Sequence, residues 1–406
     1  VYNAKPIKNT NILIIDGDRG KNYPQQSDFY DQEFCLFLNA KNVTISGFNF
    51  ENTMFITEEK DSMLKNGKLL RNDIILTTRG TVGNTALYNA LIPFNNIRIN
   101  SGMVILRVNP NEYCSEYLYY QIQSSFVKNQ IEQIKTGSAQ PQLPIKLLNE
   151  IELILPHVEI QKSIAKKIRS LVSKIINNDE QVTLLKKTVQ LIYKNWFGNF
   201  NYTNTAGKSE NDIPKGWQRS TVFDNIAEVK NKNNENSDYP VLSVVKEGEF
   251  KLSDDVFTKQ VYSQSTTNYK VVRRNQVAYN PARANIGSIA MLTDFEVGLV
   301  SPIYIVFEMK ESITPTFFYY YMKQPMFLEN IKHHAIGTTR QNFPFEAFKM
   351  FDMVVPPIEL QLRFEEIAKL IEQKIALLKE ENAILAEIRD TLLPKLMSGE
   401  LPVREE

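Results

Sequence analysis

The chain has 406 residues, 43% apolar and 23% charged, with a formal net charge of only +1. That composition excludes a disordered chain, and the absence of any run of about 18 apolar residues excludes a membrane-spanning helix. Bulk charge so near neutral argues mildly against a uniformly basic nucleic-acid binder, which leaves its local distribution to be read.

Taken in chain order, the first half opens at Val1 with no charged-then-apolar leader. Ile12–Ile15, Ile74–Thr77 and Met103–Val108 are short β-branched runs bounded by Gly, Asn or Asp, and read as strands. Glu116–Lys135 reads as one helix, and Pro156 then punctuates before a long helical segment. Asn201–Asp212, rich in Asn, Thr and Gly, is a linker. Beyond it, Val241–Val245, Val271–Tyr279 and Tyr304–Phe307 read as strands, and Pro315–His334 as a helix. Pro356-Pro357 precede a second long helix. The two cysteines, Cys35 and Cys114, fit a reducing cytoplasm rather than a disulfide framework. His157, His333 and His334 have no Cys or carboxylate at ligand spacing, so no metal is expected.

The second half restates the first. Leu155-Pro156-His157-Val158-Glu159-Ile160-Gln161 matches Val355-Pro356-Pro357-Ile358-Glu359-Leu360-Gln361, and Tyr119-Tyr120 matches Tyr319-Tyr320. Arg79-Gly80-Thr81-Val82-Gly83-Asn84 faces Arg283-Ala284-Asn285-Ile286-Gly287-Ser288 at a slightly different offset. A register kept this long indicates a duplicated unit, a mixed domain followed by one long helix.

Both long helices carry heptads. Ile164, Ile168, Leu171, Ile175, Asn178, Val182, Leu185, Val189, Ile192 and Trp196 alternate steps of four and three. Phe364, Ala368, Ile371, Ile375, Leu378, Asn382, Leu385, Arg389, Leu392 and Leu396 follow the same frame. Residues 157–200 carry +5 and residues 357–406 carry −4. Heptads with opposite charge favour the two helices packing on each other over each packing on its own domain. An antiparallel pair aligned end to end sets Ile164 against Leu396, Trp196 against Phe364 and Asn178 against Asn382. A parallel pair would bury both amides against leucine or valine, at about 1–3 kcal/mol each. Arg389 would face Leu171 and has to snorkel outward.

Three further signatures carry a resemblance. Ile213-Pro214-Lys215-Gly216-Trp217, Asn195-Trp196-Phe197-Gly198-Asn199-Phe200 and Leu392-Leu393-Pro394-Lys395-Leu396-Met397-Ser398-Gly399-Glu400 stand at the half and helix boundaries. With Asp16-Gly17-Asp18-Arg19-Gly20-Lys21-Asn22-Tyr23-Pro24 and Thr77-Thr78-Arg79-Gly80-Thr81, the chain resembles the specificity subunits of type I restriction–modification enzymes. The resemblance implies an α+β fold: two similar mixed target-recognition domains joined by two long helices in an antiparallel coiled coil. The expected order is domain 1–156, helix 157–200, linker 201–213, domain 214–356, then helix and tail 357–406. The first half shows no counterpart of Pro214–Lys232, so a family-typical segment is expected to be absent before Val1.

By the same resemblance the chain is a non-catalytic, cytoplasmic DNA reader without cofactors or contact with a membrane. Each domain would read half of a split, asymmetric target in double-stranded DNA, and the helices would space the domains and dock methyltransferase subunits. Restriction (nuclease–translocase) subunits would join that complex, and S-adenosylmethionine, ATP and magnesium would belong to the partners. The helix from Ile164 to Trp196 extends about 48 Å at 1.5 Å per residue, comparable with one turn of B-DNA.

Candidate DNA contacts gather in polar loops. Thr77, Thr78, Arg79, Thr81 and Asn84 surround two glycines, and Asn280, Arg283 and Asn285 hold the matching place. Arginine can fork onto guanine, and glycine lets a backbone come close to a partner. Lys135, Thr136, Ser138, Gln140 and Gln142, with His334, Thr338, Thr339, Arg340 and Gln341, form a second loop suited to phosphates and base edges. Arg19, Lys21, Asn22 and Tyr23 form a third. Ordinary polar loops and helix caps explain the glycines but not the run of donors.

Enzyme signatures are weak. Ala206-Gly207-Lys208-Ser209 lacks the upstream glycine of a phosphate loop. Asn280-Pro281-Ala282-Arg283 lacks a glycine-rich cofactor strand, and Glu249-Phe250-Lys251, part of a nuclease metal motif, has no convincing upstream Asp. A stand-alone nuclease or methyltransferase component, or a coiled-coil scaffold, are the alternatives.

Overall fold

Short apolar and β-branched segments, the inner ones buried on both faces, build a four-stranded antiparallel sheet in each half of the chain. The computed structural model describes residues 2–137, 140–201, 213–235, 237–256, 265–337 and 342–403. These fall into two units, Val1–Asp179 with Lys379–Glu406, and Glu180–Leu378.

In the first unit, β1 (Leu13–Asp16), β2 (Ile74–Thr77), β3 (Thr85–Leu87) and β4 (Met103–Arg107) pair in the order β1-β4-β2-β3, all antiparallel. Successive side chains of a strand face opposite ways. Thus Ile74, Leu76, Val104 and Leu106 meet helices α1 (Ser115–Gln123) and α2 (Ser125–Ile134) through Leu118, Ile122, Val127 and Ile131. Ile75, Met103 and Ile105 meet Leu36, Leu38 and Ile97 on the other face. From the first unit α3 (Val158–Tyr193) begins, and it ends in a π turn at Lys194–Gly198.

The second unit repeats this plan. β5 (Ile226–Val229), β6 (Val277–Tyr279), β7 (Ile289–Met291) and β8 (Ile305–Met309) pair in the order β5-β8-β6-β7. Val277, Tyr279 and Phe307 meet α4 (Pro315–Met322) and α5 (Pro325–His334) through Phe317, Phe318, Phe327 and Ile331. Ala278 and Val306 meet Leu242, Val244 and Val272 on the other face.

Three expectations need correction. The helices read as Glu116–Lys135 and Pro315–His334 are each two. Ser124 takes an extended backbone (φ −67°, ψ 156°) and its hydroxyl donates to Gln121 O at 2.6 Å, ending α1. Pro325 has no N–H to continue α4, and Gln324 before it is extended (φ −73°, ψ 138°). The run Val271–Tyr279 is two strands, because Asn275 at φ 67° turns the chain after Lys270–Arg273, which pairs with Val297–Val300 elsewhere. Finally, the second half's opening has a counterpart from Gln218 onward. Ala4–Pro6 pairs with Glu152–Ile154 as Gln218–Thr221 pairs with Asp352–Val355. Single 3-10 turns, Ile7–Asn9 and Phe223–Asn225, then lead into β1 and β5.

The second long helix, α6 (Ile358–Ser398), runs 41 residues and stops at Gly399, whose φ of 76° favours glycine. In the first unit its end covers the start of α3: Leu393, Leu396 and Met397 lie on Ile164, Ala165 and Ile168. In the second unit its start covers the end of α3. There the Phe364 ring lies 5.6 Å from Tyr193, 6.2 Å from Trp196 and 5.3 Å from Phe197. Start against end in both units makes the pair antiparallel, and every heptad position named above is buried or half-buried. Asn178 Nδ2 donates to Asn382 Oδ1 at 2.9 Å and to Glu381 Oε2 at 2.8 Å. Asn382 Nδ2 donates in turn to Asp179 Oδ1 at 2.9 Å and to Ile175 O at 3.3 Å. Arg389 turns sideways, its Nε on Asp390 Oδ1 at 2.8 Å. Among the described residues no helix is long and apolar enough to cross a membrane.

Candidate nucleic-acid interface

The loops singled out in the first half converge at one end of its sheet, because the ladder aligns Met103 with Thr77 and Val104 with Asp16. The turn from β2 to β3 closes on Thr77. Its N–H donates to Asn84 O (2.9 Å), its carbonyl accepts from Gly83 N (3.0 Å), and its hydroxyl accepts from Asn84 N (3.0 Å) and donates to Thr81 O. Asn84 Nδ2 donates to Val43 O at 3.0 Å. Thr78 is buried, and its N–H donates to Gly102 O at 2.8 Å. Thr77, Thr78 and Asn84 therefore hold the turn, whereas Arg79 and Thr81 stand exposed at its tip. Gly80 lies in open space at φ 78°, so glycine serves conformation there, not clearance.

The second loop is clasped by reciprocal N–H···O bonds of 2.8 Å between Thr136 and Gln142. It abuts the first: Leu143 N donates to Thr78 O (2.8 Å) and Gly80 N to Pro141 O (3.2 Å). Lys135 pairs with Glu132, and Gln140 is exposed. The third turn reaches the same place, since Arg19 Nη2 donates to Ser101 O and Asp16 Oδ1, both at 3.2 Å. Asp18 anchors this turn by accepting from Gly20 N (2.9 Å) and Lys65 N (2.7 Å). The Gly20 amide, foremost among several, holds the Asp18 carboxyl below its ordinary range. Lys21 is exposed, Asn22 Nδ2 donates to Met63 O at 3.2 Å, and Tyr23 packs edge-on against Phe37.

In the second half the same end of the sheet carries the same parts. Asn280 N donates to Ser288 O (3.3 Å), Arg283 N to Asn280 O (2.9 Å) and Phe343 N to Pro281 O (3.0 Å). Ile336 and Asn342 clasp the adjoining loop at 2.8 and 2.7 Å. Arg283 is exposed, Asn280 and Asn285 half-buried, and a cleft of about 520 Å³ opens beside Asn280, Arg283, Lys246 and Tyr304. Ser138, Thr338, Thr339, Arg340 and Gln341 lie outside the described residues. Neither Arg79 nor Arg283 has an ion-pair partner among the described residues.

Two cations escaped the sequence reading. Asp16 and Val229 occupy equivalent rungs, opposite Val104 and Val306. Lys230 and Lys232, both exposed, thus follow β5 much as Arg19 and Lys21 follow β1. Burial first, then Lys230 and Lys232 nearby, lowers the Lys270 ammonium, which donates to Tyr304 O at 2.6 Å. Also unforeseen was a buried network in the first domain. Arg98 Nε meets Asp61 Oδ1 at 2.5 Å while its other nitrogens donate to the carbonyls of Asp61, Leu64 and Asn66. Lys68 reaches the second Asp61 oxygen at 2.6 Å. No group of three or more His, Cys, Asp or Glu among the described residues could hold a metal.

A family model described as the type I restriction modification DNA specificity domain matches residues 4–186 and 214–389. The type I restriction enzyme MjaIX specificity subunit of Methanocaldococcus jannaschii is 26% identical over 359 residues, covering 82% of this chain and 79% of that protein. The HindI specificity subunit of Haemophilus influenzae is 21% identical over 470 residues, covering 95% and 98%. The type I restriction–modification S subunit from M. genitalium has the same fold, with a TM-score of 0.55 at 16% identity and coverage of 98% and 96%. With both halves matched, the chain belongs to the type I restriction–modification specificity family, as a non-catalytic DNA specificity subunit.

Proposed function

We propose that each sheet-end loop cluster reads one half of a bipartite, asymmetric target in double-stranded DNA. The observation that carries this reading is the recurrence, at the same end of both sheets, of two abutting loops with an exposed arginine at the tip. The antiparallel helices set the spacing of the half-sites and dock methyltransferase subunits, through which restriction subunits join. Apolar side chains off the helix seam support docking: Leu362, Leu370 and Leu377 in the second unit, Ile384 and Ile388 in the first, are all exposed. Methylome sequencing of a host expressing the complete system should show modification at one split, non-palindromic motif. A continuous or palindromic motif would overturn the reading.

In the same proposal Asn178 and Asn382 fix the register of the helices, as single polar core positions do in coiled coils. Asn178→Leu should cost about 1–3 kcal/mol in chemical denaturation, since it removes the amide that donates to both Asn382 Oδ1 and Glu381 Oε2. Adding Asn382→Leu should recover much of that loss. Additive losses in the double variant would remove the coupling on which the register role depends.

A further inference from the structure

We infer that Gln161 and Gln361 are positioning residues that fix the angle at which each recognition domain is mounted on its spacer helix, and so the half-site spacing the subunit accepts. The inference rests on the proposed function and names what sets the spacing.

Both residues sit in the first turn of a long helix, where the duplicated sequence repeats, and both are fully buried at 1% and 0% exposure. Buried side-chain amides are in the large majority hydrogen-bonded, and these two use both donor and acceptor. Gln161 Oε1 accepts from Cys114 N at 2.9 Å, and its Nε2 donates to Pro156 O at 2.7 Å. Gln361 Oε1 accepts from Thr314 N at 2.8 Å, and its Nε2 donates to Pro356 O at 2.9 Å and Ser312 O at 3.0 Å. Cys114 and Thr314 are the residues from which α1 and α4 start. Those helices lead, through α2 and α5, into the clasped loops at 136–142 and 336–342. Each glutamine therefore bonds the spacer helix to the end of the domain's last strand and to the helix pair that carries a recognition loop.

One such joint would allow a pivot, but each domain has a second. In the first, the Arg169 guanidinium grips both carboxylate oxygens of Glu116 on α1, its Nε on Oε1 at 2.7 Å and its Nη2 on Oε2. In the second, the Tyr320 hydroxyl on α4 donates to Glu372 Oε1 at 3.0 Å. The two attachments lie eight and eleven residues apart along their helices, about 12 and 16 Å at 1.5 Å per residue. Two points that far apart fix a direction as well as a contact. No other side chain fills the first joint equally: asparagine is a methylene short, glutamate ionised has no hydrogen for the proline carbonyl, and methionine has neither group.

The test uses the full chain assembled with its methyltransferase subunits, on targets with the native spacer and with spacers one base pair longer and shorter. In Gln161→Met and in Gln361→Met, the preference for native spacing should fall roughly tenfold, the scale of one buried hydrogen bond. Discrimination against base changes within either half-site should stay as in the wild type. Gln161→Glu guards against a variant that fails to fold. Its neutral carboxyl can accept from Cys114 N and donate to Pro156 O, so its spacing preference should return as pH falls. Assembled variants with unaltered spacing preference, or with lost base discrimination instead, overturn the inference. A wild-type complex with no bipartite target removes the proposed function, and this inference with it.

Discussion

Replacing Arg98 with methionine should destabilise the first recognition domain by about 3–5 kcal/mol, the cost of breaking a buried ion pair from one side. Arg98 is 7% exposed along its side chain and Asp61 12%. Besides the carboxylate, the guanidinium serves the backbone carbonyls of Asp61, Leu64 and Asn66; all three lose that bond, and Asp61 O keeps the Leu64 N–H at 3.2 Å. Burial by itself would raise the Asp61 carboxyl, but the hydrogen bonds from Lys68 and Arg98 override it and hold the group ionised. Lys68 remains in the variant, which favours the lower end of the range. Native-state hydrogen exchange should show the loss where Cys35–Phe37 pairs with Phe55–Ile56 and Ile97–Arg98. A loss below about 1 kcal/mol would show that the network is no better than a surface pair.

Replacing Arg79 with alanine should impair recognition of one half-site only, and Arg283→Ala the other. Both side chains are exposed at the tips of turns whose own polar groups are already used internally. If each forks onto a guanine, the wrong-base penalty at one position should shrink by about 1–3 kcal/mol. Modification assays of the assembled complex on targets changed in either half measure this. Equal loss on every sequence would mean a phosphate contact, with a shallower salt dependence as its companion.

Much of this architecture is legible in the sequence where a pattern is periodic. The heptads of α3 and α6 could be read because a position repeats every third or fourth residue, and the duplicated ends of the halves because they keep register. Breaks inside a pattern were not legible. Ser124 lies in sequence that reads as helix on both sides, and Asn275 in a run that reads as strand. Within the candidate interface, the residue types in the Thr77–Asn84 turn were visible, but not their division of labour. Thr77 and Asn84 close the turn while Arg79 and Thr81 face outward, a split decided by hydrogen bonds across the loop. The Arg98–Asp61 pair spans 37 positions and leaves no local signal at all.

The first unit draws on both ends of the chain, whereas the second is one continuous stretch. Tyr2 N donates to Ser398 O at 3.1 Å, and the face of Ile164, Ala165 and Ile168 is covered by Leu393, Leu396 and Met397. A ribosome releases that face more than two hundred residues before its cover. The domain translated first is thus finished last, and its apolar side waits in the open while the later domain collects all its parts without delay. Such contacts, distant in sequence, close slowly, and a nascent chain held in this state is the one most exposed to aggregation or to a chaperone.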